Sequence, residues 1–247
     1  MRIPNLLPLV SCVMPTRDRP CFLQQSIKYF QRQDYPNLEL IIVDDGQQDL
    51  ADCTRNQKGV RYVRLPTVLT IGAKRNYGCA IARGEIIAQW DDDDWYGPSR
   101  ISAQVTSLIA SNADIDAFGD CVFLELDSWR FWRCSANIFE RMFVGNVHGG
   151  TLVFKRKLFD SGTRYPVQSL AEDAYFLYLC NRQGARLHRT GSHGMFVYLR
   201  HSKNMWQFEC GRHLDPLQWQ MVTPPEIPLE DQQFLEAQAS LSRGAST

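Results

Sequence analysis

Between residues 85 and 95 the chain reads Glu85-Ile86-Ile87-Ala88-Gln89-Trp90-Asp91-Asp92-Asp93-Asp94-Trp95, an apolar run that passes directly into four consecutive carboxylates. The run has the length and character of a buried strand, and Tyr96-Gly97-Pro98 then turns the chain towards a helix. Like charges this close repel strongly where the effective dielectric is low. A fold that ends a buried strand on four acids therefore needs a counter-charge at that point. Hard oxygen donors on alternate residues suit magnesium or manganese, which keep positions open for water and substrate phosphate. The stretch predicts a divalent-metal site that holds a phosphate-bearing ligand. A solvated acidic turn is the plainer alternative.

The residues around it alternate between strand and helix patterns. Leu9-Val10-Ser11-Cys12-Val13-Met14 reads as a strand closed by Pro15, and Leu23, Ile27 and Phe30 recur at helical spacing behind it. A second strand, Leu38-Glu39-Leu40-Ile41-Ile42-Val43, stops at Asp44-Asp45-Gly46. A short helix is expected within 47–58, a third strand over 60–65, and a small-residue helix over 72–82 with Gly84 as its stop. After Pro98, Ile101, Val105, Leu108 and Ile109 form the apolar face of a further helix. Short connections between alternating elements predict an α/β fold, a Rossmann-like, mostly parallel sheet with helices on both faces. Ligands of such sheets bind beyond the carboxyl ends of the strands. Thr16-Arg17-Asp18-Arg19, Asp44-Asp45 and the four acids all fall at that edge, so they read as one site.

The second half changes character. Strands are expected over 117–126, 129–132, 151–154, 185–190 and 195–199, enough for a small second sheet. Glu172-Asp173 opens a helix carrying Phe176, Leu177 and Cys180 on one face and closed by Gly184. Beyond Leu214, prolines 216, 224, 225 and 228 limit regular structure; 229–241 reads as a polar, partly exposed helix and the last residues as disordered.

Composition narrows the function classes. The 247 residues carry 27 Lys plus Arg against 27 Asp plus Glu, so the basic excess of a nucleic-acid binder is missing. No stretch approaches the run of about 18 apolar residues that spans a bilayer, and the N-terminal apolar run is too short for a signal peptide. The eight cysteines are scattered without a Cys-x-x-Cys pair, as expected of buried thiols in a reducing cytosol. The expected location is the cytoplasm, free or peripheral at the inner face of the membrane. The oligomeric state is left open, a homodimer included.

The motifs together resemble a family-2 glycosyltransferase of the GT-A fold over about residues 8–206. The resemblance is carried by Val13-Met14-Pro15-Thr16, Ile42-Val43-Asp44-Asp45-Gly46, Gly72-Ala73-Lys74-Arg75-Asn76, Ala82-Arg83-Gly84-Glu85-Ile86-Ile87, the run from Asp91 to Asp94, Glu172-Asp173, and Arg200-His201 ahead of Asn204 and Trp206. It implies a GT-A catalytic domain over 1–206, with a nucleotide-binding half over 8–115 and an acceptor-side half over 116–206, followed by a C-terminal extension over 207–247. It also implies metal-dependent, inverting transfer of a sugar from a nucleotide sugar to a hydroxyl acceptor. That acceptor is a glycan, a lipid-linked glycan or a small metabolite. By the same resemblance Asp93, with Asp91 and His201, holds Mn2+ or Mg2+. Asp91 or Asp92 meets the ribose or a metal-bound water, and Asp94 orients the loop. Asp44 accepts from the nucleobase, with Asp45 beside it, under a loop bearing Thr16 and Arg19. Arg75 meets base or diphosphate. Asp173 is the general base, supported by Glu172. Gly149 and Gly150 let the backbone approach the donor sugar, with His148 lining the same pocket. Trp90, Trp95 and Trp206 stack on sugars or pack in the core. The Thr16 and Asp44 pair suits a pyrimidine, so UDP-sugar is the expected donor and dTDP-sugar the next.

Two other functions share parts of this pattern. A nucleotidyltransferase has the same kind of sheet and metal but wants a glycine-rich loop after the first strand, and Thr16-Arg17-Asp18-Arg19-Pro20 has no glycine. A non-catalytic nucleotide-sugar-binding module would keep the base pocket and have no use for Asp173. The segments 120–148 and 207–247 match no acceptor-binding pattern.

Overall fold

The computed structural model describes residues 7–244. Strand β1 (Val10–Thr16) is buried along its whole length. Helix α1 (Pro20–Gln31) follows, its start preset by the fixed φ of Pro20. Strand β2 (Leu38–Asp44), the single turn α2 (Ala51–Thr54) and strand β3 (Val60–Arg64) come next. Helix α3 (Ile71–Ile81) is capped by the Thr70 hydroxyl, which accepts from the Ala73 N–H at 3.2 Å. The chain then runs through β4 (Ile86–Gln89), the two-residue β5 (Trp95–Tyr96) and α4 (Arg100–Ala110).

The second half begins with β6 (Ile115–Phe118), β7 (Val122–Glu125) and β8 (Arg130–Cys134). Helix α5 (Ala136–Met142) starts at Ser135, whose hydroxyl accepts from the Ile138 N–H at 3.2 Å. Strand β9 (Val153–Lys155), the turn α6 (Lys157–Asp160), helix α7 (Glu172–Arg182), strands β10 (Leu187–Thr190), β11 (Phe196–Arg200) and β12 (Trp219–Met221), and helix α8 (Leu229–Gly244) complete the order.

Seven strands form the larger sheet in the order β10-β6-β9-β4-β1-β2-β3, and five form the smaller in the order β12-β8-β7-β11-β5. The larger sheet is parallel except for β9, which runs antiparallel to both of its neighbours. Alternate residues of its central strands face opposite layers. Cys12, Met14, Leu40 and Ala88 pack with Leu23 and Ile27 of α1 and with Ile101 and Val105 of α4. Val13, Ile41, Val43 and Ile87 pack with Cys79 of α3 and with Phe176 and Leu177 of α7. Burial on both sides explains why these strands read as unbroken apolar runs.

The strand order reverses at β1, which has β2 on one side and β4 on the other, and such a reversal opens a crevice at the carboxyl ends. Register fills it. Val13 lies opposite Gln89, and the Trp90 N–H donates to the Val13 carbonyl at 3.1 Å, so the acids that follow run beside the end of β1.

Several elements depart from the sequence reading. The expected strand over 117–126 is two strands in two sheets, because Gly119-Asp120-Cys121 carries the chain from β6 across to β7. Trp129 is not in a strand. Its positive φ of 53° makes it the turn between β7 and β8. Gly149–Thr151 is a 3₁₀ turn, so the expected strand over 151–154 starts later, at Val153. Gly84 does not end α3, whose C-terminal cap is Ala82. A Cβ on Gly84 would stand 2.6 Å from the Leu9 carbonyl and 2.7 Å from the Ser11 N–H, so the residue serves close approach to β1. The prolines of the 214–228 stretch leave room for β12 on β8. Helix α8 buries Asp231, Leu235 and Ala239, and the expected disorder at the chain end falls on residues outside those described.

Candidate active site

A cavity of about 450 Å3 opens at the carboxyl edge of β1 and β4 and is closed on its far side by α5, the 167–171 loop and the 204–206 loop. Thr16, Arg19, Arg75 and the four acids from Asp91 to Asp94 line one wall. Gly149, Gly150, Glu172 and Asp173 continue that polar wall. Residues as far apart in the chain as Thr16 and Trp206 thus meet at one crevice, as the strand ends require.

The acids are not equivalent. Asp92 accepts from the Thr16 hydroxyl at 2.6 Å and from Arg19 at 2.9 Å. Asp93 accepts from Arg19 at 2.7 Å and from His201 Nε2 at 3.0 Å. Asp94 points the other way and accepts the Leu199 N–H at 3.0 Å, which ties the acidic loop to β11, the strand that delivers His201. Asp91 accepts from Arg75 at 2.6 Å, and the same guanidinium donates to Glu172 at 3.1 Å. Arg75 therefore bridges the acidic loop to the start of α7.

Electrostatics separate these groups further. Burial works against ionisation of Asp93, but Arg19 and His201 outweigh it and hold its pKa below the ordinary carboxylate range. Burial raises the pKa of Asp92 in spite of Arg19. Asp94 is raised well above its usual value by burial and by Asp93 and Asp91. Glu172 is pushed up to about 7 by burial, with Arg75 opposing, and Asp173 is also raised by burial against Arg75.

The glycine pair has a steric reason. A Cβ on Gly149 would lie 1.9 Å from Asp173 Oδ2, and one on Gly150 would lie 2.6 Å from Asp91 Oδ2. The backbone here packs directly against both carboxylates, which tells us that Asp173 and Asp91 face the same few ångströms of chain. Asp173 and Glu172 sit in the first turn of α7, where the helix dipole favours acids. The turn is entered through Ala171 in the left-handed region, with φ 58° and ψ 25°.

A family model described as glycosyl transferase family 2 matches residues 11–200. The chain belongs to that family. The chain is 36% identical over 100 residues to the putative colanic acid biosynthesis glycosyl transferase WcaA of Escherichia coli, covering 38% of this chain and 36% of the other. It is 27% identical over 124 residues to the GalNAc(5)-diNAcBac-PP-undecaprenol beta-1,3-glucosyltransferase of Campylobacter jejuni, covering 47% of this chain and 39% of the other. An uncharacterized glycosyltransferase of Haemophilus influenzae is 29% identical over 126 residues, with 49% of this chain and 50% of the relative covered. The chain therefore spans half or less of the length of these relatives. Among solved structures, the mannosyltransferase PcManGT of Pyrobaculum calidifontis, in complex with GDP-Man and Mn2+, superposes with a TM-score of 0.62 at 19% identity over 80% of this chain and 58% of that one. TarS 1-349 of S. aureus in complex with UDP gives 0.61 at 17% identity over 78% of this chain and 61% of that one. These likenesses are of fold. The chain has the GT-A fold, with its large mostly parallel sheet and second small sheet.

Two expected site residues stand off the cavity wall. Asp44 is fully buried, accepting the Gly46 N–H at 2.8 Å and the Tyr62 hydroxyl at 2.7 Å. Asp45 accepts from the Leu69 N–H at 2.8 Å and from Lys74 at 2.7 Å. Both shape the loop behind the crevice. His201 lies behind Asp93, with Phe22 stacked on its ring at 5.5 Å. Trp90 and Trp95 are core residues, donating to Ser26 and Asp231, whereas Trp206 lines the cavity.

Sequence reasoning passed over Lys74, although it adjoins Arg75. Its ammonium lies at the cavity and joins the Thr16 carbonyl, at 2.9 Å, to Asp45. It also passed over the apolar wall of Met142, Phe143, Val144, Leu170 and Met205, for which no motif exists. His148 lines the cavity with its ring among Phe143, Phe196 and Tyr198. Burial pushes its pKa down to about 3, which keeps the imidazole neutral.

The donor set suits a hard divalent cation of the kind that takes one or two carboxylates and leaves the rest to water and phosphate. Among the described residues no three Asp, Glu, His or Cys side chains form a closed cage. Asp93 offers one carboxylate; His201 backs it, with Nε2 towards Asp93 and Nδ1 accepting the Lys203 N–H, so it would join the set only by giving up its Nε2 contact to Asp93, and the Arg19 guanidinium already stands on Asp92 and Asp93 as a positive group. Asp91, expected as a third ligand, is turned to Arg75.

Proposed function

We propose that this glycosyltransferase moves a sugar from a nucleotide sugar, a UDP-sugar first and a dTDP-sugar next, to an acceptor hydroxyl with inversion and with the help of Mn2+ or Mg2+. The observation that carries the reading is the cavity that has Asp93, backed by His201, at one end and Asp173 at the other, with Arg75 tying Asp91 to Glu172 between them. PcManGT, which holds GDP-Man and Mn2+, and TarS, which holds UDP, support the donor class by their fold.

In this mechanism Asp173 accepts the proton of the acceptor hydroxyl as its oxygen attacks the anomeric carbon. The bond from that carbon to the diphosphate oxygen breaks, and the nucleoside diphosphate leaves. Asp93 and His201 would hold the cation, which supplies Lewis-acid stabilisation of the leaving diphosphate. Arg75 keeps Glu172 and Asp91 at fixed positions while the proton passes to Asp173 and negative charge builds on the leaving diphosphate. The Thr16–Arg19 loop covers the base side, and Asp44 acts on it through Gly46 and Tyr62. Cytosolic placement and a hydroxyl acceptor on a glycan, a lipid-linked glycan or a small metabolite belong to the same proposal.

The test is a thermal-shift screen of UDP-, dTDP- and GDP-sugars with and without Mn2+, since a ligand of the folded state raises apparent stability. A shift that requires Mn2+ and favours one nucleotide is expected. No shift with any of them would sink the proposal.

A further inference from the structure

Arg19 is the residue at which two roles of the site collide. It precedes α1 as the N-terminal cap residue, yet its side chain makes no capping bond and is spent elsewhere. One guanidinium nitrogen donates to Asp92 Oδ1 at 2.9 Å and Asp93 Oδ2 at 2.7 Å, and the other donates to the Lys203 carbonyl at 2.8 Å. Asp93 Oδ2 also receives His201 Nε2 at 3.0 Å and lies 3.4 Å from Asn204 Nδ2. The oxygen proposed to bind the cation is therefore crowded by donors. A Mg2+ or Mn2+ ion needs that oxygen at about 2.1 Å. A guanidinium on the same oxygen competes with it by space and by charge.

The rest of the site is held without Arg19. Asp92 keeps the Thr16 hydroxyl at 2.6 Å, and His201 keeps the Asn204 side chain, the Lys203 N–H and the Phe22 ring. Loss of the Arg19 contacts would leave the acids in place and free the 202–206 loop from its tie to α1. The side chain is about a quarter exposed and lines the cavity, so a short swing brings it to an anionic ligand there.

We propose that Arg19 is a resident counter-cation of the acidic loop, which the divalent cation displaces when the nucleotide diphosphate enters, the freed guanidinium then pairing with the phosphates. Arg19 is a ligand-binding residue in this scheme, and the scheme rests on the metal reading given above. It makes an unusual demand: removal of a residue at the metal site must strengthen metal binding. Two charge-assisted hydrogen bonds to the carboxylates would no longer compete.

Mn2+ alone is titrated into wild type, Arg19→Gln and Arg19→Lys by calorimetry, and UDP is then titrated at saturating Mn2+. Arg19→Gln is expected to bind Mn2+ about tenfold more tightly and UDP about tenfold more weakly than wild type. Arg19→Lys keeps the charge but loses the fork, so it falls between the two in both titrations. Should Arg19→Gln fail to fold, the Arg19→Lys comparison carries the same prediction. Equal or weaker Mn2+ binding by the variants, with wild type binding Mn2+ and UDP normally, overturns the exchange and leaves the proposed function standing. Absence of Mn2+ binding from all three proteins overturns the metal reading, and the exchange with it.

Discussion

The two walls of the cavity are built in opposite ways. The donor-side wall is polar, and nearly every group on it is spoken for: Arg75 joins Asp91 to Glu172, Arg19 joins Asp92 to Asp93, and Lys74 joins Asp45 to the end of β1. The facing wall is apolar and open. Val144 is 42% exposed, Leu170 51% and Met205 58%, which is too much apolar surface to be core. Fixed charges on rigid strand ends suit a leaving group that is always a diphosphate. Soft side chains on loops and a short helix suit a partner that varies between family members. The proposed function assigns chemistry to the first wall and acceptor choice to the second.

The sharpest break in that contrast comes from Asp173. Replacement by Asn keeps shape and removes the proton acceptor, so kcat should fall about 10³-fold while donor affinity stays within about twofold. Unchanged turnover would remove Asp173 as base and leave the walls undivided by chemistry. A second cut tests whether the donor wall depends on the chain beyond the family match. Asp231 of α8 is fully buried and accepts from Gln25, Arg32 and Trp95, and Trp95 directly follows the acids. Asp231→Ala would strand those donors and should cost about 3 kcal/mol, read as a lower urea midpoint. A loss below about 0.5 kcal/mol would make α8 an accessory to the fold.

The same contrast explains what could be read before the structure. The donor wall was legible because strand ends, runs of acids and the Glu172-Asp173 pair leave short local patterns whose positions a parallel sheet then fixes. The pairing inside that wall was not legible. Nothing local shows that Asp91 goes to Arg75 rather than to the cation, or that Gly149 and Gly150 make room for Asp173 and Asp91. Asp44 reads like a base-binding group, and only the fold shows Tyr62 and Gly46 occupying its oxygens. The acceptor wall left no pattern, since Met142, Val144, Leu170 and Met205 come from four separate segments. Helix α5 has only seven residues, too few for its periodicity to stand out.

A pH profile tests the donor wall as a coupled unit. Glu172 is raised to about 7 by burial, so it holds its proton below that range, and burial raises Asp173 from its ordinary value against the pull of Arg75. A base must be ionised to work, so kcat/KM should fall as pH drops and the Glu172–Asp173 pair takes up protons, starting at a higher pH than for an ordinary carboxylate. Stability runs the other way. The folded chain holds a Glu172 proton between about 4.5 and 7 that the unfolded chain has lost, so this contribution is present below 4.5 and disappears as pH rises through 7. A flat kcat/KM from pH 5 to 8 would rule out the pair as the titrating group. On the opposite wall, Leu170→Ala and Met205→Ala should each raise the acceptor KM up to about tenfold through lost apolar contact, with donor affinity unchanged. A donor effect as large as the acceptor effect would erase the division between the walls.

The smallest expected effect lies where the walls meet. Ala171 is held at φ 58° immediately before Glu172-Asp173 and lines the cavity. A left-handed backbone costs a residue with a Cβ about 1 to 2 kcal/mol, and glycine escapes that cost but gives back part of it as unfolded-chain entropy. Ala171→Gly should therefore raise stability by about 0.5 kcal/mol in urea titrations. It should also loosen the first turn of α7, where Asp173 is aimed by the strained entry, and lower kcat by less than about threefold. A variant that gains stability at full kcat would show that the entry is strained without aiming the base. A variant that loses stability would show that the methyl group packs usefully against the 169–174 segment, and that the two walls are joined there by contact rather than by a strained turn.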